Sequence, residues 1–249
     1  MLTKEILSLQ HPLVKHFVRV RQNKRYRDEQ EAVLFTGLNA IKELSQTHTF
    51  EKLLIQKGFD PPFPITAKET YVVSQEILAK ITSLENPEGI AVELRKPEPC
   101  ELDACPRVLL IDQLNDPGNL GTLLRTALGF GWGVFIMEGS VDLFNDKVLR
   151  ASKGAIFSIL FDRGNEEKLK NLLSKQPWKL FAADPEGKNL PTQIQGPLML
   201  AIGNEAHGLS PFVKKTFEKI SIQMKNHTES LNAAVAGGIL LYLFQETAR

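Results

Sequence analysis

The sequence predicts an α/β protein built from two domains. Short apolar runs alternate with segments of helical character along most of the chain, a pattern typical of a sheet covered by helices. Residues 97–106 interrupt this alternation with three prolines in ten residues. Because proline continues neither a helix nor a central strand, we predict a linker there. It separates an N-terminal domain of residues 1–96 from a C-terminal domain of residues 107–249.

The N-terminal domain is predicted to be a small module of mixed α/β type. Ser74 has the character of a helix N-cap, and Gly37 separates a predicted strand from a predicted helix. Helices are predicted over residues 12–20, 38–44 and 75–81, and strands over residues 32–35, 53–55, 71–73 and 89–94.

The apolar runs of the C-terminal domain are continuous and short, as expected for strands that are buried on both faces. Strands are predicted over residues 108–111, 134–137, 155–161, 179–183, 198–202 and 219–224, and helices over 119–130, 166–173 and 231–246. This order predicts a doubly wound parallel sheet with helices on both faces. In the last helix, the adjacent Gly237 and Gly238 indicate a close approach to the backbone by another helix, a partner subunit or a ligand, with simple core crowding as the alternative.

Composition excludes several classes of protein. The chain is 43% hydrophobic and 24% charged, which is ordinary for a globular protein. It has no apolar run of about 18 residues, so no membrane-spanning helix is predicted, and its start lacks a signal-peptide pattern. Cys100 and Cys105 lack the spacing of metal ligands, so we expect two reduced thiols, no metal site and a cytoplasmic location.

The net charge of +1 conceals one strongly basic segment. Six basic residues occur there without an acidic residue among them: Lys15, Arg19, Arg21, Lys24, Arg25 and Arg27. This local excess predicts binding to phosphate groups, and a solvated helix face is the alternative.

Three glycine- and asparagine-containing turns lie next to apolar runs in the C-terminal domain. They occupy Asp116–Ala127, Leu200–Ser210 and Glu229–Gly238. Polar groups at the carboxyl ends of strands are where α/β folds place their ligand sites. The three turns therefore predict a binding or catalytic site.

Each turn taken alone also has a purely structural interpretation. Asn119 could cap the following helix, Arg125 could form a surface ion pair, and Glu205 could be a capping acid. The functional alternative directs Arg125 at a phosphate or at an acidic group of a substrate. The first strand is followed by no Gly-x-Gly-x-x-Gly motif, and the chain has neither a phosphate loop nor a serine nucleophile elbow. A nicotinamide enzyme is therefore disfavoured.

Taken in order, the three turns resemble the motifs of the SpoU/TrmH family of RNA ribose methyltransferases, which belongs to the SPOUT superfamily. The matching segments begin at Asp116, Gly203 and Ile222, and Lys147–Ala155 is similar to a connecting segment of that family. A weaker similarity covers residues 6–37, which resemble the family's RNA-binding domain, an α/β module similar to certain ribosomal proteins. Thr36 stands there where the family usually has Glu.

The resemblance implies transfer of a methyl group from S-adenosylmethionine to a ribose 2′-hydroxyl of rRNA or tRNA, without a metal. It also implies a trefoil knot that holds the cofactor, a homodimer formed through the catalytic domain, and RNA binding by the basic N-terminal segment. Two alternatives are a catalytically silent RNA-binding or assembly factor with the same fold, and methyl transfer to a nucleobase.

The same resemblance assigns roles to individual residues. The predicted catalytic groups are Asn119, Arg125, Glu205, Ser230 and Asn232, with Arg125 nearest the ribose. The predicted cofactor contacts are Gly203, Ile222, Met224 and Leu231, and Ala182 and Ala183 are predicted to line an apolar adenine slot. His207, Gln223 and the loop Lys225–Thr228 depart from the family pattern, and the last two are expected to touch the cofactor site.

Overall fold

The computed structural model describes residues 3–191, 194–224 and 230–245 of the 249-residue chain. Its contacts divide the chain into two compact units. The first contains the residues up to Pro97 together with Asp142–Phe157, and the second contains Glu98–Val141 and the residues from Ser158 onward. Asp142–Phe157 thus packs with N-terminal residues, and the domain limits inferred from the sequence stay a prediction. None of the helices in the described ranges is long and apolar enough to cross a membrane.

The first unit is a five-stranded mixed sheet with helices packed on it. Its strands are β1 (Thr3–Ile6), β2 (Ala32–Thr36), β3 (Phe50–Gln56), β4 (Ala67–Val73) and β5 (Ile90–Arg95). Its helices are α1 (Pro12–Gln22), α2 (Lys24–Gln30), α3 (Leu38–Leu44), α4 (Gln75–Thr82) and α6 (Asp146–Ser152). The strand order is β1-β4-β3-β5-β2, in which β5 runs antiparallel to both of its neighbours. The α/β character predicted for this region is confirmed.

Besides α6, two elements of this unit were not predicted from the sequence. One is the edge strand β1, and the other is α2, which directly follows α1. Asn23 separates the two helices because its backbone is extended, and its side chain caps α2 by accepting the N–H of Tyr26 at 2.9 Å. Ser74 is an N-cap as predicted, since its hydroxyl accepts the N–H of Ile77.

The second unit is a six-stranded parallel sheet, as predicted. Its strands are β6 (Arg107–Asp112), β7 (Gly133–Met137), β8 (Phe161–Gly164), β9 (Lys179–Asn189), β10 (Leu198–Gly203) and β11 (Glu218–Ser221). Its helices are α5 (Pro117–Gly129), α7 (Glu166–Ser174), α8 (Pro211–Thr216) and α9 (Ala233–Leu243). The order β11-β9-β10-β6-β7-β8 makes β6 and β10 neighbours at the point where the chain changes direction across the sheet. Ligands bind at such a switch point in open α/β sheets. The trefoil knot stays a prediction.

Two predicted strands differ from the observed elements. The run over residues 155–161 is not one strand: Ala155–Phe157 forms a 3-10 turn, and β8 begins only at Phe161. Lys153 and Gly154, with φ of 52° and 85°, turn the chain sharply just before this run. The strand predicted over 219–224 ends at Ser221.

The two adjacent glycines of α9 lie in different surroundings. A Cβ atom on Gly237 would lie 2.4 Å from the Leu123 side chain on α5, whereas one on Gly238 would have its nearest neighbour at 3.9 Å. At Gly237 the close neighbours are the buried side chains of Leu123 on α5 and Ile202 on β10, so the contact is the core crowding given as the alternative, formed where α5 packs against α9. The observed helix ends at Leu243, and residue 246, where the predicted helix ends, lies outside the described residues.

Candidate active site

The first turn connects β6 to α5 and leaves the Asn119 side chain available for tertiary contacts. Asp116, not Asn119, is the N-cap of α5, since its carboxylate accepts the N–H of Asn119 at 2.7 Å. Pro117 occupies the first turn of the helix, where its missing N–H costs nothing. The capping role considered for Asn119 is thereby taken by a residue three positions earlier.

Side chains of all three turns meet in one hydrogen-bonded set. The Asn119 amide donates from Nδ2 to Glu205 Oε1 at 2.9 Å, and Asn232 donates from Nδ2 to Asn119 Oδ1 at 2.9 Å. These partners are 86 and 113 residues apart in the chain. The predicted association of Asn119, Glu205 and Asn232 is therefore present in the structure.

Asn232 is held in place by the start of α9. Its Oδ1 accepts the N–H groups of Ala234 at 2.9 Å and Val235 at 3.2 Å, so it is the N-cap of that helix. With the oxygen occupied by these two donors, the amide nitrogen points to Asn119. One side chain thus caps a helix and fixes a polar group of the site.

The second turn is a tight loop that follows β10. Asn204 and Gly208 exchange backbone hydrogen bonds of 3.0 and 2.9 Å, and the Asn204 amide donates to the Gln113 carbonyl at 2.7 Å. A Cβ atom on Gly203 would lie within 2.9 Å of the Gly208 backbone, so glycine is required there. Asn204 therefore ties the second turn to the first, while Glu205 and His207 are exposed on the loop.

A buried carboxyl group lies beneath this loop. Asp112, the last residue of β6, is 0% exposed, and its Oδ2 accepts the N–H of Ser210 at 2.6 Å. Its Oδ1 has no hydrogen-bond partner among the described residues. Burial raises the pKa of Asp112, although the hydrogen bond from Ser210 opposes this effect. No feature of the sequence marked this residue, because its partner lies 98 positions away.

A cavity of about 440 Å³ opens beside the polar set at the ends of the strands. Eight of the residues predicted to bind the cofactor or to act in catalysis line it: Ala183, Gly203, Glu205, Ile222, Met224, Ser230, Leu231 and Asn232. Its lining also includes residues that were not predicted from the sequence, among them Asp184, Pro185, Leu209, Ser221, Ala236 and Leu240. Asp184 and Pro185 directly follow the predicted Ala183, so their proximity in sequence was the only available signal.

Two residues predicted to lie at the cofactor site, Ala182 and Gln223, do not line the cavity. Ala182 is 0% exposed and packs in the hydrophobic core, because successive residues of a strand face opposite sides; it is therefore not a lining residue of this cavity. Gln223 is exposed and donates to Asn189 at 2.6 Å, outside the cavity lining. The departing loop Lys225–Thr228 lies outside the described residues.

Arg125 lies apart from the cavity of its own chain. It is exposed on α5, in the third turn of the helix, and it is not among the residues that line the cavity. No ion pair or hydrogen bond of its guanidinium to another described residue is present. The surface ion pair considered from the sequence is therefore not formed within the described part of the chain.

The six basic residues of the N-terminal segment separate into different environments. Lys15, Arg19, Lys24 and Arg25 are exposed, and Arg25 pairs with Glu29 at 2.9 Å. Arg21 is half-buried, with an Nε that has no partner in the described ranges, and burial lowers its pKa while Asp146 opposes the effect.

Arg27 requires a correction to the predicted phosphate-binding surface. It is 3% exposed, and its guanidinium donates to the carbonyls of Val20 and Arg21 and to the carboxylate of Asp142. A guanidinium with three internal acceptors is not available to an RNA phosphate. The regular spacing of basic residues on the sequence did not distinguish this buried group from its exposed neighbours.

Sequence comparisons identify two matching families. Residues 106–242 match the SpoU rRNA methylase family, and residues 11–92 match the MRM3-like substrate-binding domain. An uncharacterised tRNA/rRNA methyltransferase of Synechocystis is 33% identical over 95% of this chain and 92% of its own length. The 23S rRNA (guanosine(2553)-2′-O)-methyltransferase RlmP of Bacillus subtilis is 29% identical over 96% of this chain and 98% of its own.

Solved structures resemble the whole chain. An S-adenosylmethionine-bound rRNA methyltransferase from Sinorhizobium meliloti superposes with a TM-score of 0.83 at 25% identity, covering 97% of both chains. A structure described as an RNA 2′-O ribose methyltransferase gives a TM-score of 0.79 at 28% identity and covers 96% of this chain and 97% of its own.

Proposed function

Because the chain belongs to the SpoU rRNA methylase family, we propose that it transfers a methyl group from S-adenosylmethionine to a ribose 2′-hydroxyl of ribosomal or transfer RNA. The observation that carries the proposal is the hydrogen-bonded set of Asn119, Glu205 and Asn232 beside the cavity. The three side chains come from three distant turns, and each is fixed by a neighbour. All five predicted polar residues, Asn119, Arg125, Glu205, Ser230 and Asn232, are present in the chain, so a silent RNA-binding factor is not favoured.

The cavity suits the cofactor in size and in the character of its walls. Its volume of about 440 Å³ lies within the usual range for small-molecule sites. Leu209, Ile220 and Leu231 offer apolar surface for an adenine ring, while Asp184 and Ser221 supply polar groups for hydroxyls. The backbone at Gly203 and the segment from Ile222 to Met224 would hold the rest of the molecule.

The protein's part in the reaction is to position the reactants and to stabilise the charge that develops. The bound cofactor supplies a methyl group on a sulfonium centre. A ribose hydroxyl must pass its proton to water or to a nearby RNA phosphate as its oxygen attacks, so a cation beside that oxygen lowers the barrier. We assign this role to the Arg125 guanidinium, which is cationic at neutral pH. Asn119, Glu205, Ser230 and Asn232 would orient the sugar, and alignment of the two reacting atoms supplies further acceleration.

A second copy of the chain would bring Arg125 to a site. The outer face of α5 and α9 exposes large apolar side chains, including Leu128, Val235, Ile239, Tyr242 and Leu243. All of these residues except Leu128 line a shallow groove that shares Asn232 with the cavity wall. Contiguous exposed apolar surface of this kind marks an interaction site. We propose that two chains pack through this face and that Arg125 of each chain serves the cavity of the other.

RNA recognition is assigned to the N-terminal unit, with residues 1–96 as the substrate-binding domain, 97–106 as the linker and 107–249 as the catalytic domain. The exposed basic residues Lys15, Arg19, Lys24 and Arg25, together with the half-buried Arg21, would contact phosphates. Arg27 is left out because its guanidinium is bound internally. With RNA as substrate, we expect the protein to act in the cytoplasm.

Labelling of RNA with tritiated S-adenosylmethionine tests the proposed reaction. RNA is taken from cells that lack the protein, and the label should appear as a 2′-O-methyl nucleotide. Arg125→Ala should lower the rate by about 100-fold or more and leave cofactor affinity, measured by calorimetry, nearly unchanged. Lys215→Ala, an exposed change on α8, should retain full activity. Label in a nucleobase, or full activity of Arg125→Ala, would contradict the assignment.

Mixing two inactive variants tests the proposed exchange of Arg125 between chains. Arg125→Ala and Asn232→Ala should each be inactive alone. Mixed dimers should recover activity, because one of their two sites then combines an intact Asn232 with an intact Arg125. Tyr242→Lys should shift the protein from two chains to one in light scattering. If the mixture stays inactive while mixed dimers form, Arg125 serves its own chain.

A further inference from the structure

One exposed arginine of the N-terminal unit differs from its basic neighbours in what it contacts. The Arg19 guanidinium carbon lies 3.9 Å from the centre of the Tyr26 ring, so the guanidinium is stacked on the ring. Within the described residues, Arg19 has no carboxylate partner. By contrast, Arg25 and Arg95 are paired with Glu29 and Glu31. Arg19 is therefore oriented by an aromatic face and not by an acid.

The ring beneath Arg19 is fixed from inside the unit. The Tyr26 hydroxyl lies 3.0 Å from His16 Nδ1, and His16 Nε2 lies 2.6 Å from the carboxylate of Glu93. Lys52 donates to the other oxygen of the same carboxylate. Asn23 accepts the backbone N–H of Tyr26 at the start of α2. The exposed Arg19 and the partly buried Tyr26 thus rest on a chain of polar contacts that ends on two strands of the sheet.

Burying this polar chain has a larger free-energy cost than burying apolar side chains at the same positions would have. Glu93 is 2% exposed, and removing a carboxylate from water carries a penalty of several kcal/mol unless the charge is compensated. An apolar side chain at position 93 would fill a sheet interior without that penalty. The polar chain is therefore better explained by the need to hold Tyr26, and through it Arg19, in one orientation.

The surroundings of the pair are suited to nucleic acid. Lys15 lies one helical turn before Arg19 on the same face of α1, and Lys24 opens the neighbouring helix; both are exposed. A planar guanidinium over an aromatic ring, flanked by lysines, offers a stacking surface next to phosphate contacts. Proteins recognise unpaired RNA bases by stacking them on aromatic rings and on arginine planes.

We propose that an unpaired nucleobase of the RNA substrate stacks on the Arg19 guanidinium, with Tyr26 beneath it and with His16, Glu93 and Lys52 as positioning residues. The inference rests on the proposed function in one respect, since it takes RNA to be the substrate. It adds a requirement that phosphate contacts alone do not impose: the RNA presents a base outside a helix at the N-terminal unit. Lys15 and Lys24 contribute charge, which attracts paired and unpaired RNA alike.

Binding of two fluorescently labelled RNAs by the full-length protein tests this proposal. One is a hairpin with an unpaired loop, and the other is a fully paired duplex of the same total length. Arg19→Lys keeps the charge but removes the planar group, so it should weaken hairpin binding about tenfold and change duplex binding less than twofold. Arg95→Lys, an exposed arginine on β5, is the matched control and should change neither. Equal binding of the hairpin by Arg19→Lys and wild type, or equal weakening for both RNAs, would overturn the proposal.

A second variant tests the positioning role. Tyr26→Phe keeps the ring but removes its hydroxyl, and it should weaken hairpin binding two- to fourfold without affecting the duplex. Unchanged hairpin binding would remove His16, Glu93 and Lys52 from the proposal. Failure here is distinguishable from failure of the proposed function: S-adenosylmethionine binding and methyl transfer to RNA would persist if only the stacking site were wrong. If the stacking site is right and the reaction is wrong, the hairpin preference would remain without any transfer.

Discussion

Each unit of this protein buries a carboxyl group in its sheet, and the two units treat that group in opposite ways. Glu93, within β5 of the first unit, is contacted by His16 and Lys52. Asp112, at the end of β6 in the second unit, accepts one backbone N–H and has no cation in contact among the described residues. Burial by itself favours a higher pKa for both groups. For Glu93, the hydrogen bonds and the charges of His16 and Lys52 outweigh burial, so its pKa is lowered. For Asp112, burial outweighs the hydrogen bond from Ser210, so its pKa is raised.

The difference follows from what each carboxyl group holds. The Glu93 carboxylate links the side chains of His16 and Lys52 in the first unit. Hydrogen bonds from basic side chains to a charged carboxylate are stronger than those to a neutral group. Asp112 holds a backbone N–H of the loop that follows β10, and a neutral carboxyl group can accept that bond as well. The first site depends on charge, and the second depends only on an acceptor at the right position.

The largest expected effect is the loss of the Glu93 charge. Glu93→Gln leaves Lys52 without a counter-charge in a mostly buried position, and it should lower the free energy of unfolding of the first unit by about 3 kcal/mol. Both tryptophans, Trp132 and Trp178, belong to the second unit, so fluorescence would miss this change. Hydrogen exchange of peptides from β3 and β5 measures it directly.

The matched control for that experiment is a surface pair on the same sheet. Glu51→Gln removes the partner of the exposed Lys68 and should cost less than about 1 kcal/mol. If the two substitutions had equal effects on hydrogen exchange, the stability of the first unit would not depend specifically on the charge of Glu93. The proposed difference between the two buried carboxyl groups would then be wrong.

The next effect is the loss of the acceptor at Asp112. Asp112→Ala leaves the N–H of Ser210 buried without a partner and should cost about 1–3 kcal/mol. Urea unfolding followed by tryptophan fluorescence reports on this unit. Cofactor affinity should also fall, since the same loop carries Gly203 and Glu205 into the cavity wall. A fully stable variant with normal affinity would show that the Ser210 bond does not hold the loop.

A smaller effect on stability is expected when position 112 keeps a hydrogen-bond acceptor but loses its ability to carry charge. Asp112→Asn retains an oxygen for Ser210, so its stability at pH 7 should lie within about 1 kcal/mol of wild type or above it. The equivalent amide substitution at Glu93 should, in contrast, be strongly destabilising. If Asp112→Asn were as damaging as Asp112→Ala, Asp112 would require its charge, and the two units would not differ.

The smallest effect is in the pH dependence, where the two groups have opposite signs. The pKa of Glu93 is lowered, so its stabilising contribution is complete above its unfolded value of about 4.3 and is lost as the pH falls through the folded value. The pKa of Asp112 is raised, so its contribution is complete below about 3.9 and is lost as the pH rises through the folded value. Unfolding free energies of wild type and the two amide variants across pH 3–7 should show these opposite slopes. Parallel slopes would contradict the assigned directions.

More of the candidate active site could be predicted from the sequence than of the contacts made by Glu93 and Asp112. Asn119, Glu205 and Asn232 each follow or precede an apolar run within a glycine-containing turn, and that local pattern places Glu205 just after a strand and the two asparagines at the starts of helices. The resemblance then grouped them, and the structure confirms their contact. Arg27 shows the limit of the same reasoning, because a basic residue among basic neighbours is indistinguishable on the sequence until its internal acceptors are known.

The sequence by itself determined the alternation of strands and helices, the parallel sheet and the three turns, because periodicity and turn chemistry act over a few neighbouring residues. Only the tertiary structure decided which side chains became partners. The pairs His16 with Glu93 and Asp112 with Ser210 span 77 and 98 residues. Such contacts depend on strand register and helix packing, and a shift of one residue along a strand would turn each side chain to the opposite face of its sheet.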